Sequence, residues 1–243
     1  MKKFIQGLIL CTFLFGASIY ANKNVLVVLI GSPGAGKGTL AQNLCAQGGY
    51  QHISAGDMLR AEVQAQTKLG KQIEPLVNQG TLIDVTITEE LIKKKIKEIF
   101  AAHDSCILDG FPRSKACMEA YDRIIEALGL EDIVYLELVA EKEVCRKRIG
   151  KRLVCDECHH VDQEQDETHE GGICSTCQKS FLKRRLNDSD EVAVRRIADY
   201  HKKRPDLFQP VADAIYKIDA SQSIPECVEQ AKSHIQSWSD NHA

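Results

Sequence analysis

Residues 25–39 have the sequence VLVVLIGSPGAGKGT, an apolar run followed by a glycine-rich turn. The run is uninterrupted and rich in β-branched side chains, which is typical of a strand buried on both faces of a parallel sheet. The turn has the form G-x-x-x-x-G-K, and a helix is predicted from about Gly38 to Ala46. Glycines let backbone N–H groups turn toward phosphate oxygens, while Lys37 and the helix N-terminus add positive charge. The stretch therefore predicts a phosphate-binding loop.

The rest of the chain alternates between short apolar runs and amphipathic patterns. This alternation predicts an α/β fold, a doubly wound parallel sheet with helices on both faces. Two segments interrupt it: residues 54–83, expected to be an inserted helical flap that adds no strand, and residues 151–188, a polar insertion with two C-x-x-C pairs. Further strands are predicted at residues 106–108, 133–138 and 214–218, and helices at about residues 88–100, 118–128, 140–149, 191–203 and 225–238.

Length and charge limit the class of protein. A chain of 243 residues can bury one good core and carry small additional modules. Its net charge of -3 indicates no general basic surface for nucleic acid, and we expect no nucleic-acid partner. A polyanionic ligand would need arginines and lysines that cluster locally.

Residues 1–21 have the pattern of a secretory signal. Lys2 and Lys3 precede an apolar run from Phe4 to Tyr20, which is followed by Ala21 and then by polar residues. The cleavage site is imperfect, because Ile19 stands where a small residue is preferred, and the run is marginal as a membrane span. Cysteines scattered through apolar segments favour a reducing compartment instead. We expect a cytoplasmic protein, with export, or membrane tethering through uncleaved residues 1–21, as the alternative.

Several further motifs occur in the order found in adenylate kinases. Residues 31–39 have the form G-x-P-G-x-G-K-G-T, with Gly rather than Ser or Thr directly after the lysine. Residues 54–60 (SAGDMLR) resemble the family's monophosphate-binding segment, and residues 109–113 (DGFPR) resemble its D-G-F/Y-P-R signature. The resemblance covers about residues 24–240. It also includes the family's two arginine pairs, which match Arg148, Arg152, Arg185 and Arg196.

The resemblance implies reversible, Mg²⁺-dependent phosphoryl transfer between ATP and AMP, giving ADP, by a monomer. Within a kinase domain of residues 24–243, residues 54–83 are then the monophosphate-binding insert and residues 151–188 the lid over ATP. A monophosphate is already an anionic nucleophile, so the chemistry needs charge neutralisation and in-line placement more than a general base. The catalytic residues so implied are Lys37, Asp109, Arg113, Arg148, Arg152, Arg185 and Arg196, with Asp109 holding waters around Mg²⁺.

The same resemblance assigns the two nucleotides to separate groups of residues. ATP is expected on Gly34, Ala35, Gly36, Lys37, Gly38, Thr39, Arg148, Arg152, Val161, Asp162 and Gln222. AMP is expected on Ala55, Arg60, Thr81, Leu82, Ile83, Gly110, Phe111, Pro112, Arg113, Cys117, Arg185 and Arg196.

Two C-x-x-C pairs lie in the polar insertion, Cys155 with Cys158 and Cys174 with Cys177. Their spacing is close to that of a four-thiolate zinc site, and a segment this polar cannot fold around an apolar core of its own. We therefore expect a structural zinc ion, as in the zinc-bearing lids of some adenylate kinases. Other ligands remain open, namely His159, His160 and His169, and export would make two disulfides the alternative.

The two departures from the adenylate kinase pattern that matter most concern the acceptor nucleotide. Ala55 stands where Thr is usual, and Cys117 stands where a Gln reads the adenine edge of AMP. A thiol is a weak hydrogen-bond partner, so its presence should soften discrimination among monophosphates. Ser-Ala-Gly-Asp is also the form seen in UMP/CMP kinases, although those have short lids without zinc cysteines. A UMP/CMP-type kinase is thus the alternative, and a non-catalytic nucleotide-binding protein is a remote one.

Overall fold

A five-stranded parallel sheet forms the centre of the chain. The computed structural model describes residues 24–81, 83–165 and 168–242. The strands are β1 (Leu26–Gly31), β2 (Tyr50–Ser54), β3 (Ser105–Asp109), β4 (Ile133–Val139) and β8 (Ile215–Asp219), in the order β2-β3-β1-β4-β8. Strand β1 pairs with β3 on one side and β4 on the other, and every residue of β1 is buried. The predicted α/β fold with a doubly wound parallel sheet is confirmed.

Helices cover both faces of this sheet. Along β1, Val27 and Leu29 face one core, while Leu26 and Val28 face the other, which explains why the strand is apolar without alternation. The first core is closed by α1 (Lys37–Ala46), α6 (Lys142–Gly150), α7 (Asp190–Leu207) and α8 (Ile224–Asn241). The second is closed by α4 (Val85–Ala101) and α5 (Lys115–Leu128), with the start of α2 (Ala55–Gln64).

Strand β2 is absent from the sequence-based prediction, which places no strand in this part of the chain. It lies at the edge of the sheet, and only Ile53 of its five residues is buried. An edge strand with one buried side chain leaves no apolar run to detect. Two helices also begin three residues before their predicted starts, because the side chains of Asp84 and Ser114 accept hydrogen bonds from the first turns of α4 and α5.

Helices α2 and α3 (Lys68–Gln79) form a helical hairpin after β2. The side chains of Ser54 and Thr67 cap their N-termini by accepting hydrogen bonds from Asp57 N–H and Gly70 N–H. The hairpin is joined to the C-terminal half of the chain, since Asn187 Nδ2 donates to the Val77 carbonyl at 3.2 Å. A 3₁₀ turn, Leu186–Asp188, carries this asparagine.

The cysteine-bearing insertion has a small sheet of its own. Strands β5 (Arg152–Cys155), β6 (Val161–Gln163) and β7 (Leu182–Lys183) are antiparallel, in the order β6-β5-β7. Its interior contains few apolar side chains: Leu153 and Leu182 are buried there together with Cys155 and Cys174. This agrees with the expectation that the insertion needs more than apolar packing.

None of the helices within the described ranges is long and apolar enough to cross a membrane. The signal-like residues 1–21 lie outside those ranges.

Candidate active site

The glycine-rich turn lies between β1 and α1, at the carboxyl edge of the sheet. Gly34 and Gly36 have φ values of 82° and 101°, in the left-handed region that side chains disfavour. A Cβ on Gly34 would also collide with the backbone carbonyl of Cys145 on α6. The loop is therefore fixed by its neighbours in a shape that only glycine permits.

Lys37 folds back over this loop. Its Nζ donates hydrogen bonds to the carbonyls of Gly31 and Ser32, at 2.9 and 3.0 Å. Burial lowers the pKa of Lys37 to about 8; Asp109 opposes this shift, and nearby arginines, Arg113 first among them, reinforce it. A bound anion would restore the full charge of this lysine.

A cavity of about 800 Å³ opens above the loop. It is bounded by the loop and α1 on one side, by the α2–α3 hairpin on another and by the cysteine-bearing insertion on a third. All seven residues that the sequence assigns to catalysis contribute to its wall: Lys37, Asp109, Arg113, Arg148, Arg152, Arg185 and Arg196. The wall also contains Gly34, Ala35, Gly36, Gly38, Thr39, Arg60, Thr81, Ile83, Gly110, Phe111, Pro112, Val161 and Gln222.

Asp109 ends β3 and is in register with Leu29 of β1 and Ser54 of β2. His52, two residues before Ser54, places its Nε2 3.7 Å from Asp109 Oδ2. Burial would raise the pKa of Asp109, but the adjacent His52 ring and the charge of Lys37 outweigh it and hold that pKa below its ordinary value. A buried, ionised carboxylate thus stands beside the phosphate loop. A Cβ on Gly38 would come within 3.6 Å of its Oδ2, so the missing side chain leaves this carboxylate uncovered.

Arginines from separate segments converge on the cavity around two carboxylates. Asp188 accepts two hydrogen bonds from Arg152, at 2.7 and 2.5 Å, and lies 3.7 Å from Arg196. Asp57 forms ion pairs with Arg60 and, at 3.3 Å, with Arg185. These two carboxylates and Asp109 are fewer than the arginines that face the cavity together with Lys37, so an excess of positive charge remains in a partly desolvated space.

The pKa values reflect that excess. Burial and the neighbouring Arg60 and Arg152 lower the pKa of Arg185 to about 9. Burial and the neighbouring Arg113 and Arg152 lower the pKa of Arg196 to about 10. Burial works against ionisation of Asp57 as well, yet Arg60 and Arg185 hold its pKa far below the ordinary range. The cavity is accordingly suited to a strongly anionic ligand.

Four residues that the sequence assigns to nucleotide binding are not placed in the cavity wall. Ala55, Cys117 and Asp162 contribute no lining surface, and Leu82 lies outside the described residues. Asp162 is absent from the wall because side chains alternate along β6. Val161 and Gln163, on either side of it in the strand, face the cavity, so Asp162 faces away. Cys117 is buried in the second core, and its Sγ accepts a hydrogen bond from Ser114 Oγ at 3.2 Å.

Other functional candidates were missed by sequence analysis. Gln42 and His52 line the cavity, as does His159, which the sequence suggested only as an alternative zinc ligand. Asp188 is not part of the wall, but it pairs with Arg152, which is. His52 could have been suspected from period-two alternation with Ser54 once β2 is known. Asp188 directly follows Asn187, but nothing local indicates its pairing with Arg152.

Buried Glu137 of β4 anchors α7, the helix that carries Arg196. It accepts hydrogen bonds from Arg204 at 2.7 and 2.5 Å and from the Tyr200 hydroxyl at 3.1 Å. Glu137 pairs in register with Ile30 of β1, so this connection fixes α7 beside the strand that leads into the phosphate loop.

The four insertion cysteines form one cluster. Their Sγ atoms all lie within 4.8 Å of one another, with 3.6 Å between Cys155 and Cys177 and between Cys158 and Cys174. Zinc bound tetrahedrally at about 2.3 Å separates its sulfurs by about 3.8 Å, so the arrangement fits such an ion. A disulfide needs about 2.05 Å, and the nine cysteines within the described ranges are all free. Among those residues the cluster contains no histidine.

These features define a P-loop nucleotide enzyme: a parallel sheet with a phosphate loop at its carboxyl edge, a buried lysine and converging arginines. Comparison with known proteins identifies the family. The family model "Adenylate kinase" matches residues 29–215. The chain is 34% identical over 183 residues to an adenylate kinase of Rhizobium etli, a match that covers 75% of this chain and 84% of that protein. The chain belongs to the adenylate kinase family and is a phosphotransferase.

Two further relatives show similar identity over a larger share of the chain. An adenylate kinase of Borrelia garinii subsp. bavariensis is 33% identical over 203 residues, covering 82% of this chain and 93% of that protein. One of Finegoldia magna is 32% identical over 205 residues, covering 82% and 94%. Enzymes of this family bind ATP, AMP and ADP and use Mg²⁺ with ATP.

Proposed function

We propose that this chain catalyses reversible transfer of the terminal phosphoryl group of ATP to AMP, giving two ADP, with the residues of the cavity described above. The observation that carries the proposal is the meeting of Lys37 with arginines from several separate segments in one cavity. A single phosphate chain would not require positive charge from so many directions. Two mutually repelling phosphate groups would.

Lys37 and the backbone N–H groups of the phosphate loop are proposed to hold the donor phosphates. Arg148 approaches from α6 and Arg152 from the insertion, while Arg113 comes from the loop after β3 and Arg196 from α7, so the transferred group would be surrounded by cations. Removing any one of these groups should cost roughly 2–4 kcal/mol of transition-state stabilisation. No general base is required, because the attacking phosphate oxygen is already anionic.

Asp109 is proposed to hold the hydration shell of the Mg²⁺ that accompanies the donor. Its carboxylate is ionised beside the phosphate loop, and an oxygen ligand is what Mg²⁺ prefers. When bound, the ion would neutralise charge on the donor phosphates. The chain's own contribution is the position of this carboxylate, which the register of β3 with β1 sets.

The α2–α3 hairpin is proposed to bind the acceptor. Arg60 and Arg185 converge there on Asp57, which holds both guanidinium groups in place before a phosphate arrives. Residues 54–83 would then act as the monophosphate-binding insert and residues 151–188 as the lid, within a kinase domain of residues 24–243. Closure of both over the cavity would exclude water from the transferred group.

A structural zinc ion is proposed for the four-cysteine cluster, supported by four Sγ atoms that all lie within 4.8 Å of one another and by the small apolar interior of the insertion. The free thiols support a reducing compartment, and we propose a cytoplasmic monomer.

One observation favours a second candidate, a kinase with UMP or CMP as acceptor. The side chain of Cys117 is buried beside Ser114 and provides no amide that could read an adenine edge. The test is a panel in which the purified chain receives MgATP with AMP, UMP or CMP. AMP should be phosphorylated fastest, and Lys37→Ala should abolish turnover. Faster turnover of UMP or CMP would establish the second candidate, and nucleotide binding without turnover would indicate a non-catalytic protein.

A further inference from the structure

Gln42 joins the helix of the phosphate loop to the cysteine-bearing insertion. It lies on α1, five residues after Lys37, and its Nε2 donates a hydrogen bond to the His159 carbonyl at 2.7 Å. Both residues line the cavity, and 117 positions separate them along the chain. The bond therefore connects the side of the cavity that holds the phosphate loop with the side formed by the insertion.

The turn formed by residues 155–160 fixes the backbone conformation of His159. His159 directly follows Cys158, and its N–H donates to the Cys155 carbonyl at 3.0 Å. The Cys155 N–H in turn donates to the His160 carbonyl at 3.0 Å, which closes the turn from both ends. His159 has a φ of 57°, in the left-handed region that non-glycine residues seldom occupy. Such a conformation persists where its surroundings enforce it.

A metal on the four cysteines would provide that enforcement. Cys155 and Cys158 flank the turn, and their Sγ atoms belong to the same cluster as those of Cys174 and Cys177. Without the ion, the insertion has only a small apolar interior to keep residues 155–160 in this shape. The direction of the His159 carbonyl then depends on whether the cluster is filled.

We propose that Gln42 is a positioning residue that couples metal occupancy of the cysteine cluster to affinity for the donor nucleotide. This inference rests on the proposed function, since it takes the cavity as the donor site and zinc as the metal. With the cluster filled, the His159 carbonyl meets Gln42 and holds the insertion, including Val161 and Gln163, against the cavity. With the cluster empty, the hydrogen bond between Gln42 and the His159 carbonyl is lost, and the insertion no longer holds its lining residues beside the donor nucleotide.

Coupling of this kind is reciprocal. If zinc tightens nucleotide binding by some factor, the nucleotide must tighten zinc binding by the same factor. We expect a factor of about ten, within the usual range for coupled sites. If Gln42 has no part in the coupling, the nucleotide affinities with and without zinc will either be equal or differ by a factor that does not change when Gln42 is replaced.

The experiment uses the full chain, zinc-loaded or stripped with a chelator, in wild-type, Gln42→Ala and Gln47→Ala forms. Gln47 is the matched control, because it is an exposed glutamine at the C-terminus of the same helix. Calorimetry gives the Kd of a non-hydrolysable ATP analogue for each state, and chelator competition gives the zinc affinity with and without the analogue. Wild type and Gln47→Ala should show the same factor of about ten in both measurements, and Gln42→Ala a factor near one. An equal factor in Gln42→Ala and wild type overturns the proposal, as does a factor of one in wild type.

Hydrogen exchange of the zinc-loaded chain provides a second readout. It does not require the chain to stay folded after zinc has been removed. The analogue should slow exchange of the residue 155–160 amides in wild type and Gln47→Ala but not in Gln42→Ala. Equal slowing in all three overturns the proposal. Turnover of ATP with AMP is assayed separately on the zinc-loaded wild type, so that failure of the proposed reaction is distinguished from failure of the coupling.

Discussion

Arg152 and Asp188 join the two ends of the cysteine-bearing insertion. The Arg152 guanidinium donates hydrogen bonds to both carboxylate oxygens of Asp188, at 2.7 and 2.5 Å, and the Asp188 side chain is only 4% exposed. Arg196 lies 3.7 Å from the same carboxylate. One buried acid thus holds two of the arginines that face the cavity and closes the base of the insertion.

Asp188→Asn should destabilise the chain, because it leaves two buried guanidinium groups without their counter-charge. We expect the free energy of unfolding to fall by about 3 kcal/mol in the absence of nucleotide. A ligand carrying both phosphate groups should recover part of this loss by supplying negative charge. Denaturant unfolding with and without a bisubstrate analogue measures both effects.

Asp190→Asn is the control for this prediction. Asp190 pairs with Arg146 at 2.6 Å, but its side chain is 65% exposed, so its removal should lower the free energy of unfolding far less than Asp188→Asn does. If both variants lose the same free energy of unfolding, the ion pair of Asp188 with Arg152 contributes no more to stability than an exposed pair, and the prediction is wrong.

Donor affinity should fall as pH rises above 8. Burial lowers the pKa of Lys37 to about 8, so the empty site loses this charge above that pH. Phosphate binding favours the protonated form, so above this pKa binding must be accompanied by proton uptake, which weakens it. Between pH 7 and pH 9 we expect the Kd for ATP to rise about tenfold. Lys37→Arg, whose charge persists, should remove this dependence, and a flat wild-type profile would contradict the assignment. Calorimetry at each pH measures it.

Arg60→Ala should impair use of the acceptor and spare the donor. Arg60 lies on α2 and pairs with Asp57 at the hairpin side of the cavity. We expect kcat/KM for AMP to fall about 100-fold, equivalent to roughly 3 kcal/mol, with little change in the Kd for ATP. Arg123→Ala is the control, because Arg123 pairs with Glu89 and does not line the cavity. An equally large loss of affinity for ATP would contradict the assignment of Arg60 to the acceptor.

Discrimination among acceptors should be modest. A site that hydrogen-bonds its substrate through a dedicated polar group can reject analogues by about 10⁴-fold or more, whereas an apolar site achieves about 100-fold. Because residue 117 is a buried thiol, we expect AMP to exceed UMP and CMP in kcat/KM by about 100-fold or less. A preference above about 10⁴-fold would indicate another base-reading group.

Zinc should be present at one ion per chain and lost in Cys174→Ser. Cys174 is buried in the cluster, so its loss should increase hydrogen exchange within residues 151–188 and leave the central sheet protected. Cys45→Ser, at a half-buried cysteine outside the cluster, should retain the metal. Elemental analysis of the purified proteins decides the matter, and zinc retained in Cys174→Ser would contradict the four-thiolate assignment.

Sequence patterns predict the parts of the fold that depend on local periodicity or on a motif of fixed spacing. Strand β1 and the phosphate loop are of this kind, because a buried strand is continuously apolar and the loop needs glycine and lysine at set positions. The four cysteines are likewise predictable from their spacing, because each C-x-x-C pair brings two sulfurs together within one turn and the small antiparallel sheet has only to bring the two pairs together.

Contacts between distant segments could not be predicted in this way. Strand β2 buries only Ile53, so it has no periodic signal, and His52 is missed with it. Asp188 pairs with Arg152 and Asp57 with Arg185, in each case from a separate element, and Gln42 donates to a carbonyl 117 residues away. A charged or amide side chain carries no local sign of which group it will face.

The most direct test of the proposed reaction is to count ADP formed per ATP consumed when the chain is mixed with MgATP and AMP. We expect two ADP for each ATP, from phosphoryl transfer between the nucleotides, and the reverse reaction from ADP alone. One ADP for each ATP, with phosphate released, would show hydrolysis instead and would contradict the proposal.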